Sequence, residues 1–135
     1  MNVGLVGVGA LGTGIAAGLV AAGHKVWAWD TAPAAQERAR ALGCRVATDP
    51  IYLPNHTELI IMALPTAADV AATVERLLRT AGRGLILVDI STGDSALSRI
   101  NAEKAAAAGV AYLDARTLDV LQFLARTINI NNDEV

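Results

Sequence analysis

Short β-branched runs alternate with longer Ala-rich stretches along the whole chain. This is the rhythm of strand and helix units in succession. It predicts strands over 2–6, 25–29, 44–46, 58–63, 85–89 and 110–113. Helices are expected over 11–22, 33–42, 66–80 and 94–108, with only a turn or short helix near 50–55. Leu59-Ile60-Ile61-Met62 and Leu85-Ile86-Leu87-Val88 are apolar at every position, so both of their faces need cover, as strands of a parallel sheet do. Gly23, Gly43, Gly82 and Gly109 each stand just after a helical run, where a left-handed residue can close a helix, and Pro33 and Pro65 suit helix entry. The right-handed crossover rule then favours an α/β fold, a doubly wound parallel sheet in strand order 3-2-1-4-5-6.

Composition narrows the class further. The 135 residues are 53% hydrophobic and 18% charged with a net charge of -2, which describes one compact domain with its own core. Aromatic residues are 4% of the chain while Ala fills 27 positions, so small side chains must let the helices lie close to the sheet. One cysteine, Cys44, builds neither an internal disulfide nor a zinc site, and the acidic groups show no metal-ligand spacing. The mild acidity argues against a nucleic-acid partner. The uncharged stretch 3–23 reaches membrane-span length, but seven of its residues are glycine and its start reads as strand and turn; no membrane span is expected. Nothing reads as an address elsewhere, so a cytoplasmic protein is expected.

The first strand runs into Gly7-Val8-Gly9-Ala10-Leu11-Gly12, the G-x-G-x-x-G pattern, at the opening of a helix. Asp30 ends the second strand 18 residues after Gly12. Strand, glycine turn, helix and acid in that order are the dinucleotide-binding fingerprint of a Rossmann-type sheet. Gly7 permits the sharp turn, Gly9 lets backbone approach a pyrophosphate, and Gly12 lets the helix sit against the strand. The helix amino terminus offers its free N–H groups to the phosphates. Asp30 can accept hydrogen bonds from the adenosine ribose and repels a 2′-phosphate, and Thr31-Ala32-Pro33 brings no arginine. NAD is therefore expected ahead of NADP.

These residues resemble the β-hydroxyacid dehydrogenases, the family of 3-hydroxyisobutyrate dehydrogenase, tartronate semialdehyde reductase and, more distantly, 6-phosphogluconate dehydrogenase and imine reductases. The run from Val3 to Gly12 is similar to the family's opening fingerprint, with Leu11 where Met is usual. Ala22-Gly23-His24-Lys25-Val26 matches the turn into the second strand, and Gly109 to Ala115 the sixth strand. The resemblance implies that Leu64, Pro65 and Val70 line the adenine and ribose side. It also implies that Val88-Asp89-Ile90-Ser91-Thr92 brings Ser91 and Thr92 to the cofactor, with Thr92 near the nicotinamide.

The likeness ends near residue 115. Asp114-Ala115 continues as Arg116-Thr117-Leu118-Asp119 where the family has a glycine-rich substrate motif, and Ser95 replaces an expected proline. The only lysines, Lys25 and Lys104, do not match the family's catalytic lysine, so no catalytic residue is assigned. Residues 1–115 are thus expected to be a dinucleotide-binding domain, and 116–135 a tail with Leu118, Leu121, Ala125 and Ile128 on one helical face and an extended end. The expected function is the NAD-binding part of an oxidoreductase resembling the 3-hydroxyacid dehydrogenases, without its substrate domain and inactive alone. A second domain or subunit would supply the lysine. The alternative is a noncatalytic NAD-binding module acting through its tail or a partner subunit, and self-association through the tail stays open. Flavin or S-adenosylmethionine binding fits less well, the first because flavin sites favour Glu at the Asp30 position.

Other chemistry-bearing residues take plainer readings. His24 is expected as a solvated turn residue and His56 as a surface residue. Cys44 reads as a small buried side chain. Trp27 and Trp29 share a sheet face and belong to the core first and to an adenine wall second. Asp89 is expected to cap a turn or orient Ser91.

Overall fold

A computed structural model describes residues 1–91, 95–115 and 122. It contains a six-stranded, all-parallel sheet in the order β3-β2-β1-β4-β5-β6, as the crossover rule predicted. The strands are β1 Asn2–Val6, β2 Lys25–Trp29, β3 Arg45–Val46, β4 Leu59–Met62, β5 Ile86–Asp89 and β6 Ala111–Asp114. The helices are α1 Ala10–Ala21, α2 Pro33–Ala41, α3 Ala67–Leu78 and α4 Ser95–Ala107, and a single 3-10 turn spans Pro50–Tyr52. Boundaries differ from the sequence reading by one or two residues, where caps and hydrogen bonds rather than hydropathy set the end. The expected helical start at Asp94 and the expected tail helix and extended end in 116–135 lie outside the described residues.

Strand alternation sorts the core into two layers. Val3, Leu5, Val26, Ala28, Leu59, Ile61 and Val88 face one side, where they meet Ile15, Ala16 and Leu19 of α1 and Ala35 and Ala39 of α2. Val6, Ile60, Met62 and Leu87 face the other, against Val70, Val74 and Leu77 of α3 and Ala105 of α4. Alanine on the inner face of α2 brings that helix close to the sheet. Leu5, Ile60, Ile61, Met62 and Leu87 are fully buried, and each contributes roughly 1.5–3 kcal/mol.

The uncharged stretch 3–23 resolves into β1, the glycine turn and α1, and no helix among the described residues is long and apolar enough to cross a membrane. Gly23, Gly43 and Gly109 are left-handed as expected. Gly82 is not, and Gly84 takes that conformation instead, because the chain runs four residues past Arg79 before it must turn into β5.

Candidate functional site

At the carboxyl edge of the sheet lies a crevice of about 540 Å³, lined by Gly7, Gly9, Ala10, Leu11, Gly12, Trp29, Asp30, Thr31, Ala63, Leu64, Pro65, Asp69, Ala72, Thr73 and Arg76. It sits over the ends of β1, β2 and β4, where the strand order reverses, and its volume suits a nucleotide-sized ligand.

The glycine turn owes its shape to contacts no side chain would allow. Gly7 has φ +99°, and a Cβ there would stand 2.1 Å from the Ala63 carbonyl oxygen. A Cβ on Gly12 would stand 1.9 Å from the Gly7 carbonyl oxygen, so α1 can rest on the turn only as glycine. Gly9 differs: a Cβ there would meet nothing within 4 Å and would project into empty space. Gly9 is also the N-cap of α1, which has no side-chain cap and no acid in its first turn. The first N–H groups of α1 therefore face the crevice end of the helix without a protein acceptor from a capping side chain.

Asp30 holds this turn from the side. Its Oδ2 accepts from the Val8 N–H at 2.8 Å and its Oδ1 from the Ala32 N–H at 2.9 Å, while Gln36 Nε2 donates to its carbonyl oxygen. Each carboxylate oxygen keeps a further lone pair for a ribose hydroxyl. Arg38 of α2 donates to the Val8 carbonyl oxygen at 2.8 Å, a brace the sequence reading did not find. Opposite, the Leu64 N–H donates to Ser91 Oγ at 2.7 Å, and the Ser91 N–H donates to Asp89 Oδ1 at 2.8 Å. Asp89 therefore orients Ser91 as expected, and it also accepts from the Tyr112 hydroxyl at 2.9 Å. Burial, and then the bond to Asp89, hold the Tyr112 hydroxyl protonated well above the usual tyrosine range.

The site residues read from the sequence thus divide. Gly7, Gly9, Ala10, Leu11, Gly12, Asp30, Thr31, Leu64 and Pro65 line the crevice. Val8 is buried and acts through its backbone, and Ser91 braces Leu64 rather than lining the wall. Val70 is buried in the layer between α3 and the sheet, while the residues of α3 that line the crevice are Asp69, Ala72, Thr73 and Arg76, about a quarter turn around the helix. Thr92 lies outside the described residues. That face of α3 went unread, although its three- and four-residue spacing was the available signal.

His24 is a correction. It is buried at the amino end of the sheet, and burial, then the charge of the amino terminus, lower its pKa against a backbone contact with Met1 that raises it. His56 is exposed, as expected, yet stacks on Trp27 with ring centroids 4.5 Å apart. Cys44 is buried, which raises its pKa. Trp27 packs against the core, while Trp29 also reaches the crevice. No group of three metal-ligating side chains occurs among the described residues.

A family model described as the NAD binding domain of 6-phosphogluconate dehydrogenase matches residues 2–117. The chain belongs to this family. Within it, the domain is 30% identical over 115 residues to the mitochondrial 3-hydroxyisobutyrate dehydrogenase of Drosophila melanogaster, covering 84% of this chain and 36% of the fly enzyme. Among solved structures, the 3-hydroxyisobutyrate dehydrogenase of Mycobacterium tuberculosis superposes with a TM-score of 0.83 at 30% identity, over 85% of this chain and 40% of that one. An imine reductase variant from Myxococcus stipitatus in complex with NAD+ shares the fold, with a TM-score of 0.76 at 20% identity over 82% and 38% of the two chains. The chain thus spans little more than a third of the length of such relatives, and the part it spans is the NAD-binding domain of 3-hydroxyisobutyrate dehydrogenase-like proteins.

Proposed function

We propose that this chain binds NAD, in preference to NADP, as the cofactor half of a hydroxyacid dehydrogenase resembling 3-hydroxyisobutyrate dehydrogenase. The observation that carries the proposal is the open end of α1: a glycine N-cap whose missing side chain leaves space beside first-turn N–H groups that no side chain caps among the described residues. That cradle fits a pyrophosphate. Asp30, fixed by Val8 and Ala32 at the crevice wall, would take the adenosine ribose and repel a 2′-phosphate, and the residue after it is Thr31 rather than an arginine. Leu64 and Pro65 would close the side facing the ribose, with Ser91 setting the position of Leu64.

Bound NAD supplies hydride transfer at its nicotinamide ring. The described residues contribute binding and orientation, and none of those lining the crevice is a lysine or histidine that could carry the substrate hydroxyl proton. Lys104 stands on α4, 3.9 Å from Glu75, and Lys25 begins β2 at the opposite edge of the sheet. The substrate and the proton relay accordingly belong to a surface that packs over the crevice, from a second domain or subunit.

Calorimetric titration of residues 1–135 with both nucleotides tests the proposal. The unaltered chain should favour NAD, and Asp30→Ser should narrow the gap by on the order of 1–3 kcal/mol through lost ribose bonds and relieved repulsion. Equal affinities in both proteins would remove Asp30 from the ribose. With a panel of 3-hydroxyacids the chain should form no NADH at ordinary enzyme rates, because orientation by a second surface contributes about 7–11 kcal/mol.

A further inference from the structure

The crevice also carries a cationic group that the fingerprint does not account for. Arg76, on the last turn of α3, lines the cavity beside Thr31, Ala72 and Thr73, and its side chain is 38% exposed. It is held on two sides. Its Nη2 lies 2.7 Å from Asp49 Oδ2, and its Cζ stands 5.9 Å from the centre of the Trp29 ring. Asp49 is itself fixed, because its Oδ1 accepts from the Ile51 N–H at the head of the 3-10 turn. Thr80 donates to the Ile51 carbonyl oxygen and fastens the same turn to α3 from below.

This arrangement changes what the crevice offers to a base. The guanidinium stands over one face of the Trp29 ring, and both residues line the crevice, so alongside the indole a ligand is offered a planar cation. Paired with Asp49, it carries little free charge for a second phosphate. A guanidinium keeps two flat faces when its edge is hydrogen-bonded, and such planes stack on purines. The small side chains of Ala72 and Thr73 leave the neighbouring wall low enough for a ring to lie along it.

We infer that Arg76, pre-set by Asp49 and Trp29, is the platform on which the adenine ring of the dinucleotide stacks. This rests on the dinucleotide reading above and assigns a residue to its adenine end. Calorimetry on the 135-residue chain with NAD and with nicotinamide cytosine dinucleotide, whose base is smaller, tests it, alongside thermal unfolding of each variant. Arg76→Ala should weaken NAD about ten-fold and the cytosine analogue about three-fold or less, in line with base stacking. Arg76→Lys, which keeps charge but not the plane, should recover less than half of the lost binding. Arg76→Met, whose stem still covers Trp29, should behave as Ala does and serves if Ala unfolds. Full rescue by lysine, or an equal loss for both bases, would overturn the platform and leave a charge or structural role. Binding of NAD by the unaltered chain with no loss in Arg76→Ala overturns Arg76 alone, whereas no nucleotide binding by the unaltered chain overturns the cofactor reading with it.

Discussion

The two edges of the sheet are built on opposite rules. At the amino edge, where helices return to strands, Gly23, Gly43, Gly84 and Gly109 all take positive φ, and the turns close on backbone hydrogen bonds such as His24 N–H to Leu19 and Cys44 N–H to Ala39. At the carboxyl edge, among the described residues, only Gly7 does so. There the turns are held by side chains instead: Asp30 on Val8 and Ala32, Ser91 on Leu64, Asp89 on Ser91, and Thr66 on Asp69. Turns that satisfy themselves need little else, whereas turns pinned by side chains can leave backbone groups facing a crevice. The same contrast recurs within the carboxyl edge. The first turn of α3 is capped by Thr66 and carries Asp69, while that of α1 has neither a side-chain cap nor an acid.

Gly12→Ala should break this arrangement most severely. Its Cβ would meet backbone at 1.9 Å, so α1 must move off the turn. Urea unfolding should show a loss of about 3 kcal/mol, the upper end for overpacking, with nucleotide affinity gone from calorimetry. Gly9→Ala separates binding from stability at the same turn. Its Cβ meets nothing, so stability should stay within about 0.5 kcal/mol, while a dinucleotide should lose about 1.5–3 kcal/mol as its phosphate is held away from the N–H groups. A Gly9→Ala chain that binds as well as the original would place the ligand elsewhere.

The amino edge can be probed through His24. Burial lowers its folded pKa below the ordinary 6.5, so at acidic pH the unfolded chain binds the extra proton. Stability should be full above pH 6.5, fall as pH drops below it by up to about 1.4 kcal/mol per unit, and stop falling from this cause below the folded pKa. Denaturant midpoints across pH 4.5–8, with His24→Leu as the control that removes this slope, measure it. The smallest effect belongs to Thr66→Ala, which should cost about 1 kcal/mol of stability through the lost cap and leave nucleotide affinity nearly unchanged.

Much of the site was legible because its parts are close in sequence. Gly7, Gly9 and Gly12 sit on one turn, and Asp30 follows at a distance fixed by one helix and one strand, so spacing alone placed them together. Asp89 and Ser91 are two residues apart, and a carboxylate at a strand end accepts readily from the N–H two residues on. Arg38 and Val8 are 30 residues apart, Arg76 and Asp49 are 27, and no local pattern couples them. Val70 shows the part that helical phase plays: it is near the same turn, but its position on α3 carries it into the core layer.

By itself the sequence determined the strand order, the parallel sheet and the glycine turn, since periodicity, chirality of crossovers and steric room at glycine are properties of a chain and its neighbours along it. Only the tertiary structure decided which face of α3 meets the crevice, that Arg76 stands over Trp29 beside Asp49, and that His24 is sealed rather than solvated. Those outcomes depend on how elements settle against one another, and a shift of a fraction of a turn in a packed helix exchanges a wall residue for a core residue.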